Sequence, residues 1–407
     1  MTTHRGLVSA LTLIVALAGC GSTPTATGPA TSVAPTATTA AVTATAPATA
    51  RPTRTPTPFP IAVFTGLGDE PVSDALAAEL QQVLEMSARG EGLTAAVISP
   101  QGTWNGTTGM ATAERAMVPN DQMAIASITK TLVAAQVMQL VEAGELGLDD
   151  LAADRLSPDL DFELNGETIA NLPSHRSGFR SDTMLDPVDA ESITTDPTHA
   201  WTIEELLGTI GPERGPVSQA FEYRGITYVL LGLIVEHVTG RPLAEVLRGG
   251  VLDGKGYERL IYQPAERPTD PMAMPSGASA DTFDEVGGFL PSLAAATAFN
   301  SEGAMASDSL SLARWFRRLC AGEVVSPASL SEMADFGKRP EYGLGLIDRR
   351  GEYGGSSGAL GHTGHLPGFT TVALCFQNPG IVVVVLANAD EHDVDTTAGA
   401  LWRAAST

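Results

Sequence analysis

Ser127 and Lys130 stand three residues apart at the head of an apolar run, and Tyr223 and His362-Thr363-Gly364 follow far downstream. A helix completes a turn in about 3.6 residues, so the hydroxyl and the amine project from one face as neighbours. A serine hydroxyl is inert at neutral pH until a nearby group takes its proton, and a partly buried amine or a phenolate held by a cation can do so. The chemistry these side chains suit is acyl transfer through a serine. Taken alone, the spacing also fits a helix N-cap followed by an exposed lysine, so the context has to decide.

The elements that must position these groups are legible in outline. Pro71 to Ala88 has helical spacing, with Val72, Leu76, Leu80, Val83 and Leu84 on one side, and Gly90 and Gly92 stop it. Leu93 to Ser99 and Gly102 to Gly109 read as a hairpin around Pro100-Gln101-Gly102. A helix opens at Ser127 and runs to about Ala143, where Gly144 ends it. Three strand-like runs, Gly361 to Gly364, Thr370 to Gln377 and Ile381 to Asn388, precede a final helix. Strands at both ends with helices between predict an α+β (mixed α/β) fold: an antiparallel sheet flanked by helices, with a helical subdomain inserted. The predicted α/β part is about 70–125 and 291–407, and the helical part about 126–290.

Ala126-Ser127-Ile128-Thr129-Lys130-Thr131-Leu132 leads into Val141-Glu142-Ala143-Gly144-Glu145-Leu146, and with this stretch the chain resembles the penicillin-recognising serine hydrolases. That family includes class C β-lactamases, D-alanyl-D-alanine carboxypeptidases and related esterases. Leu172-Pro173-Ser174-His175-Arg176-Ser177-Gly178 is similar to its His-x-Ser-Gly turn, Tyr223 to its Tyr-x-Asn tyrosine, and Tyr342-Gly343-Leu344-Gly345 with His362-Thr363-Gly364 to its closing elements. The resemblance implies the β-lactamase/transpeptidase fold, Ser127 as nucleophile, Lys130 as its buried electrostatic partner and Tyr223 as general base and later acid. Which of Lys130 and Tyr223 takes the proton stays open. It further implies that His362, where the family often has lysine, supplies a cationic or hydrogen-bonding group, making activity sensitive to acid near its titration range. Thr363, Gly364 and His365 then line the substrate strand, with the N–H groups of Ser127 and His365 as oxyanion hole, each worth about 3 kcal/mol. The strand edge suits a peptide-like substrate added by β-augmentation. His175 reads as structural.

One departure bears on substrate. The family's asparagine is replaced in Tyr223-Arg224-Gly225, and glycine offers no amide to lysine or substrate. Esters or unusual peptides therefore gain ground against β-lactams and D-Ala-D-Ala, and a catalytically weak binder of cell-wall fragments is the alternative. Gly354-Gly355-Ser356-Ser357-Gly358 matches the G-x-S-x-G string, but it lies in a turn leading into a strand, which is wrong for a nucleophile elbow.

The 407 residues carry 47 acidic and 24 basic side chains, a net charge of -23 that repels nucleic-acid phosphates. Residues 1–19 read as a signal peptide, with Arg5 and an apolar Leu7 to Ala18 too short to span a bilayer. Leu17-Ala18-Gly19-Cys20 resembles the lipobox of bacterial lipoproteins, which implies lipidation at Cys20 and a membrane anchor; an ordinary secretory signal is the other reading. Residues 20–62 are rich in Thr, Ala and Pro and read as a tether reaching roughly 35 Å as a flexible coil, leaving 63–407 as the hydrolase domain. The expected location is extracytoplasmic. Cys320 and Cys375 can pair there, though nothing in their spacing demands it. No Cys/His metal spacing appears, no cofactor is expected, and the oligomeric state is not readable; the expected partner is a small-molecule or peptide substrate.

Overall fold

The computed structural model describes residues 55–180, 190–210, 215–217, 220–277 and 288–407. The predicted signal peptide, Cys20 and most of the tether lie outside the described residues. The helices in chain order are α1 (Asp74–Ser87), α2 (Thr129–Glu142), α3 (Ala190–Thr195), α4 (Ile203–Gly208), α5 (Ile226–Thr239) and α6 (Leu243–Gly249). They continue with α7 (Leu293–Gly303), α8 (Ser309–Cys320), α9 (Pro327–Met333), α10 (Arg350–Tyr353) and α11 (Val394–Ala405). The strands are β1 (Leu93–Ser99), β2 (Gly102–Thr108), β3 (Met123–Ala124), β4 (Ile261–Tyr262) and β5 (Met305–Ser307). Last come β6 (Ile347–Asp348), β7 (Leu360–Leu366), β8 (Phe369–Phe376) and β9 (Ile381–Ala387).

The main sheet runs β2-β1-β9-β8-β7-β6 and is antiparallel throughout. Its centre joins an early and a late strand of the described residues, with Leu93 opposite Ala387 and Ile98 opposite Val382. β1 and β9 are buried along their whole length, so alternate side chains serve two cores. Val97, Val383 and Val385 pack with Leu80, Leu84 and Leu401 of α1 and α11. Ala96, Ile98, Val382 and Val384 face the other way, toward Trp315 and Phe316 of α8 and the helical layer beyond. The disulfide Cys320–Cys375 ties the end of α8 to β8.

Two predicted boundaries move. Phe59 is already buried, its N–H donating to Ser331 Oγ at 2.9 Å, so packing begins short of the tether end expected at 62. The helical part also extends past 290, because α7, assigned from sequence to the α/β part, packs on α2 and α5. The cause is composition: α7 is alanine-rich and lets three helices approach closely. Helix α2 is buried on nearly every side, which is why its sequence shows little polar face.

Candidate active site

Ser127 sits in a 3-10 turn, Ala126–Ile128, that feeds directly into α2. The residue before it is strained: Ala126 has φ 51, a left-handed backbone that alanine adopts at a cost. The turn is held from both sides. Ile125 N–H donates to Met305 of β5 at 2.9 Å, Met305 N–H donates to Thr129 Oγ1 at 3.1 Å, and Thr371 Oγ1 of β8 donates to the Ile125 carbonyl at 3.1 Å. β7 closes over it at Gly364, where a Cβ would overlap the Ile125 carbonyl and the Thr371 hydroxyl. Only glycine permits that approach.

Lys130 is buried at the first turn of α2, and its ammonium donates to three acceptors: Ser127 Oγ at 3.1 Å, the Glu302 carbonyl at 2.8 Å and Glu302 Oε2 at 3.0 Å. Three N–H groups are thereby matched by three oxygens. Burial by itself depresses a lysine, but the charge and hydrogen bonding of Tyr223 and Glu302 outweigh it and raise the Lys130 pKa above its ordinary value. The ammonium lies 5.1 Å from the Tyr223 ring centre and 5.7 Å from that of Tyr228. These contacts favour the ammonium form of Lys130 beside the serine oxygen.

Tyr223 is 38% exposed, whereas the neighbouring Tyr228 and Tyr342 are buried. Burial pushes both buried phenols well above the ordinary tyrosine value, so they act as neutral donors. Tyr228 Oη donates to the Pro173 carbonyl at 2.9 Å. His175 braces Tyr223 along the backbone on both sides. Its carbonyl accepts from Glu222 N–H at 2.9 Å and its Nδ1 from Arg224 N–H at 3.1 Å, with the ring centre 4.2 Å from that of Tyr223. An Nδ1 that accepts must be unprotonated, and burial, then the charge of Lys130, keep the His175 pKa well below 6.5. These contacts hold the backbone on both sides of Tyr223 and pack the His175 ring against the tyrosine ring.

His362 falls on β7, buried, with its ring centre 6.5 Å from that of Tyr223. Its Nδ1 donates to the Thr363 carbonyl at 2.5 Å, which leaves Nε2 to accept from Tyr342 Oη at 2.9 Å. Desolvation lowers its pKa to about 3, with a further push from Lys130 and Arg349. Burial thus disfavours the cationic role for His362, and its contacts match the hydrogen-bonding one. Thr363 is half-buried, Gly364 buried and His365 exposed. β7 pairs with β8 over its full length but with β6 only at Leu360 and Gly361, so among the described strands its second edge is open from His362 onward. Phe221, stacked on Tyr342 with ring centres 5.7 Å apart, adds an exposed aromatic beside Tyr223.

The structure brings Ser127, Lys130 and Tyr223 around one ammonium, with the His362 ring packed behind Tyr223 through Tyr342. Glu302 is the member that sequence reasoning missed. It lies two residues after Asn300, whose φ of 37 breaks α7, and no motif or periodicity marks it; the only hint was the missing side chain at Gly225. Ser356 lies in a 3-10 turn, Gly355–Ser357, before β7, and the helix an elbow requires does not follow it.

A family model described as Beta-lactamase matches residues 74–406. The chain is 35% identical over 127 residues to Protein flp of Staphylococcus aureus, covering 30% of this chain and 24% of that protein. It is 32% identical over 143 residues to penicillin-binding protein 4 of Amycolatopsis lactamdurans, covering 34% of this chain and 36% of that protein. The chain thus spans between a quarter and about a third of the length of these curated relatives. Among solved structures, the D-amino acid amidase from Ochrobactrum anthropi SV3 complexed with L-phenylalanine aligns with a TM-score of 0.67 at 25% identity, covering 81% of this chain and 98% of that one.

Proposed function

Because the chain belongs to the Beta-lactamase family of serine hydrolases, we propose that it works through an acyl-Ser127 intermediate, anchored outside the cytoplasm by a lipid on Cys20. The observation that carries the chemistry is the buried Lys130 ammonium 3.1 Å from Ser127 Oγ. Ser127 Oγ attacks the substrate carbonyl carbon, its proton passes to the oxygen of Tyr223 in its phenolate form, and the Lys130 ammonium stabilises the serine oxygen as it loses that proton. Tyr223 then protonates the leaving group, and water releases the acyl group along the reverse route. The N–H groups of Ser127 and His365 serve the oxyanion, each worth about 3 kcal/mol.

The proposed substrate is an ester or a small peptide or amide seated along the open edge of β7. The aromatic mouth at Phe221 and Tyr223 supports this, and so does likeness to a D-amino acid amidase. With glycine at 225, β-lactams rank below it. The apolar leader and the Leu17-Ala18-Gly19-Cys20 stretch support export and anchoring, and the Cys320–Cys375 disulfide suits an oxidising compartment.

Fluorophosphonate labelling with turnover of an activated ester, a D-amino-acid amide and a chromogenic cephalosporin tests the chemistry. Ser127→Ala is expected to abolish labelling and to lower turnover by about 10³-fold or more. Labelling that survives Ser127→Ala, or a strong preference for the cephalosporin, would overturn the assignment. Anchoring is read in the same cells: Cys20→Ala moves the protein from the membrane fraction to the soluble fraction, and an unchanged distribution rejects the lipid.

A further inference from the structure

Gly225 and Glu302 occupy the same space. Gly225 is the N-cap of α5, and a Cβ built on it would fall on the carboxylate of Glu302, overlapping Oε2, Cδ and Oε1. That carboxylate arrives from a different helix, in the part of α7 that follows the break at Asn300. The break is itself braced. Asn300 Oδ1 accepts from Tyr262 Oη and from Ser301 N–H, both at 2.7 Å, and Ser301 Oγ donates to the Tyr228 carbonyl at 2.8 Å. The result delivers both the main-chain carbonyl and the carboxylate of Glu302 to one ammonium, in an ion pair with side chains 1% and 5% exposed.

We propose that Glu302 is the positioning residue of Lys130, and that Gly225 is glycine because the Glu302 carboxylate fills the place of a side chain there. The proposal deepens the functional reading and, for its kinetic arm, rests on it. An asparagine at 225 would offer an N–H donor and a carbonyl acceptor on one neutral amide; a carboxylate offers acceptors only, together with a charge. The exchange favours the ammonium form of Lys130 and removes a donor that a substrate carbonyl would use. Lys130 is faced by Ser127 from the turn before α2, Tyr223 from the chain before α5, Tyr228 from α5 and Glu302 from α7, and its charge lowers the pKa of the nearby His175 and His362 rings. Of these, Glu302 is the carboxylate.

A cycle of Glu302→Ala, Gly225→Asn and the double variant, with Glu302→Gln as the near-isosteric control, tests the pairing. Activity on an activated ester requires the Lys130 ammonium, so its alkaline limit reports where that ammonium loses its proton. Glu302→Gln keeps the shape and removes the charge; it is expected to move the alkaline limb of kcat/KM down by about a pH unit or more and to lower kcat about 10-fold or more with KM little changed. Gly225→Asn alone is expected to lose activity and to melt earlier, because the amide and the carboxylate collide, and Glu302→Ala in the same chain restores at least about 10-fold of that activity. Unmoved alkaline limbs in both Glu302 variants overturn the positioning role, and a Gly225→Asn melting penalty that is the same with and without Glu302 overturns the shared-space claim. The melting cycle needs no substrate. Wild-type protein that never labels at Ser127 therefore sinks the hydrolase reading and leaves the pairing to be decided by melting alone.

Discussion

Four side chains meet at Lys130, yet only one carries a fixed charge opposite to its own, and that asymmetry governs how pH acts on the site. His362 shows the converse case, a titratable group silenced by burial. An unfolded histidine binds a proton below about pH 6.5, whereas folded His362 does so only near 3. Between those values the unfolded chain holds the extra proton, so stability is lost as the pH falls, at about 1.4 kcal/mol per unit for this one group. Melting temperatures from pH 7 to 4.5 should therefore decline less steeply in His362→Gln than in the wild type. Nuclear magnetic resonance titration of His362 with a midpoint near 6.5 in the folded protein would defeat this account. Ser127 and Lys130 were legible in the sequence because their relation is local, one helical turn. The protonation state of His362 was not, since it depends on Tyr342 and on water excluded by neighbours remote in sequence.

At the scale of elements, Ser127, the proposed nucleophile, is placed by a clamp and only secondarily by its helix. The chain was expected to be helical from Ser127, but residues 126–128 form a 3-10 turn and α2 starts at Thr129, because β5, β7 and β8 pin the turn before the helix can begin. Gly364→Ala tests the clamp. The added methyl meets the Ile125 carbonyl and the Thr371 hydroxyl, so it should cost about 1–3 kcal/mol of stability through overpacking and reduce kcat/KM by roughly 10-fold or more as the turn shifts. Differential scanning fluorimetry and ester kinetics on the same sample decide it; full activity in the alanine variant would mean that β7 does not seat the nucleophile. The hairpin and the three C-terminal strands were read to within a few residues, since alternation and Gly/Pro turns are printed locally. The assignment of α7 went wrong because an alanine-rich helix packs on a sheet or on helices equally well.

On the scale of the whole molecule, the sheet is stitched from the two ends of the domain, and a covalent tie reinforces it. Cys320 and Cys375 are 55 residues apart, and closing a loop of that length is worth about 4 kcal/mol in the chain-entropy account. Cys320→Ser with Cys375→Ser, or the wild type under reductant, should melt roughly 5–10 °C lower while keeping ester turnover at moderate temperature. Equal melting with and without reductant would show the tie to be energetically idle. The amino-acid order by itself determined the strands and the family and singled out Ser127, Lys130 and Tyr223 as candidates, because each is written in spacings that backbone geometry reads over a few residues. Only the tertiary structure decided that Glu302 stands where Gly225 leaves room, that the His362 ring is buried against Tyr342 and that the cysteines pair. Those outcomes depend on which distant surfaces exclude water together, and no local period encodes that.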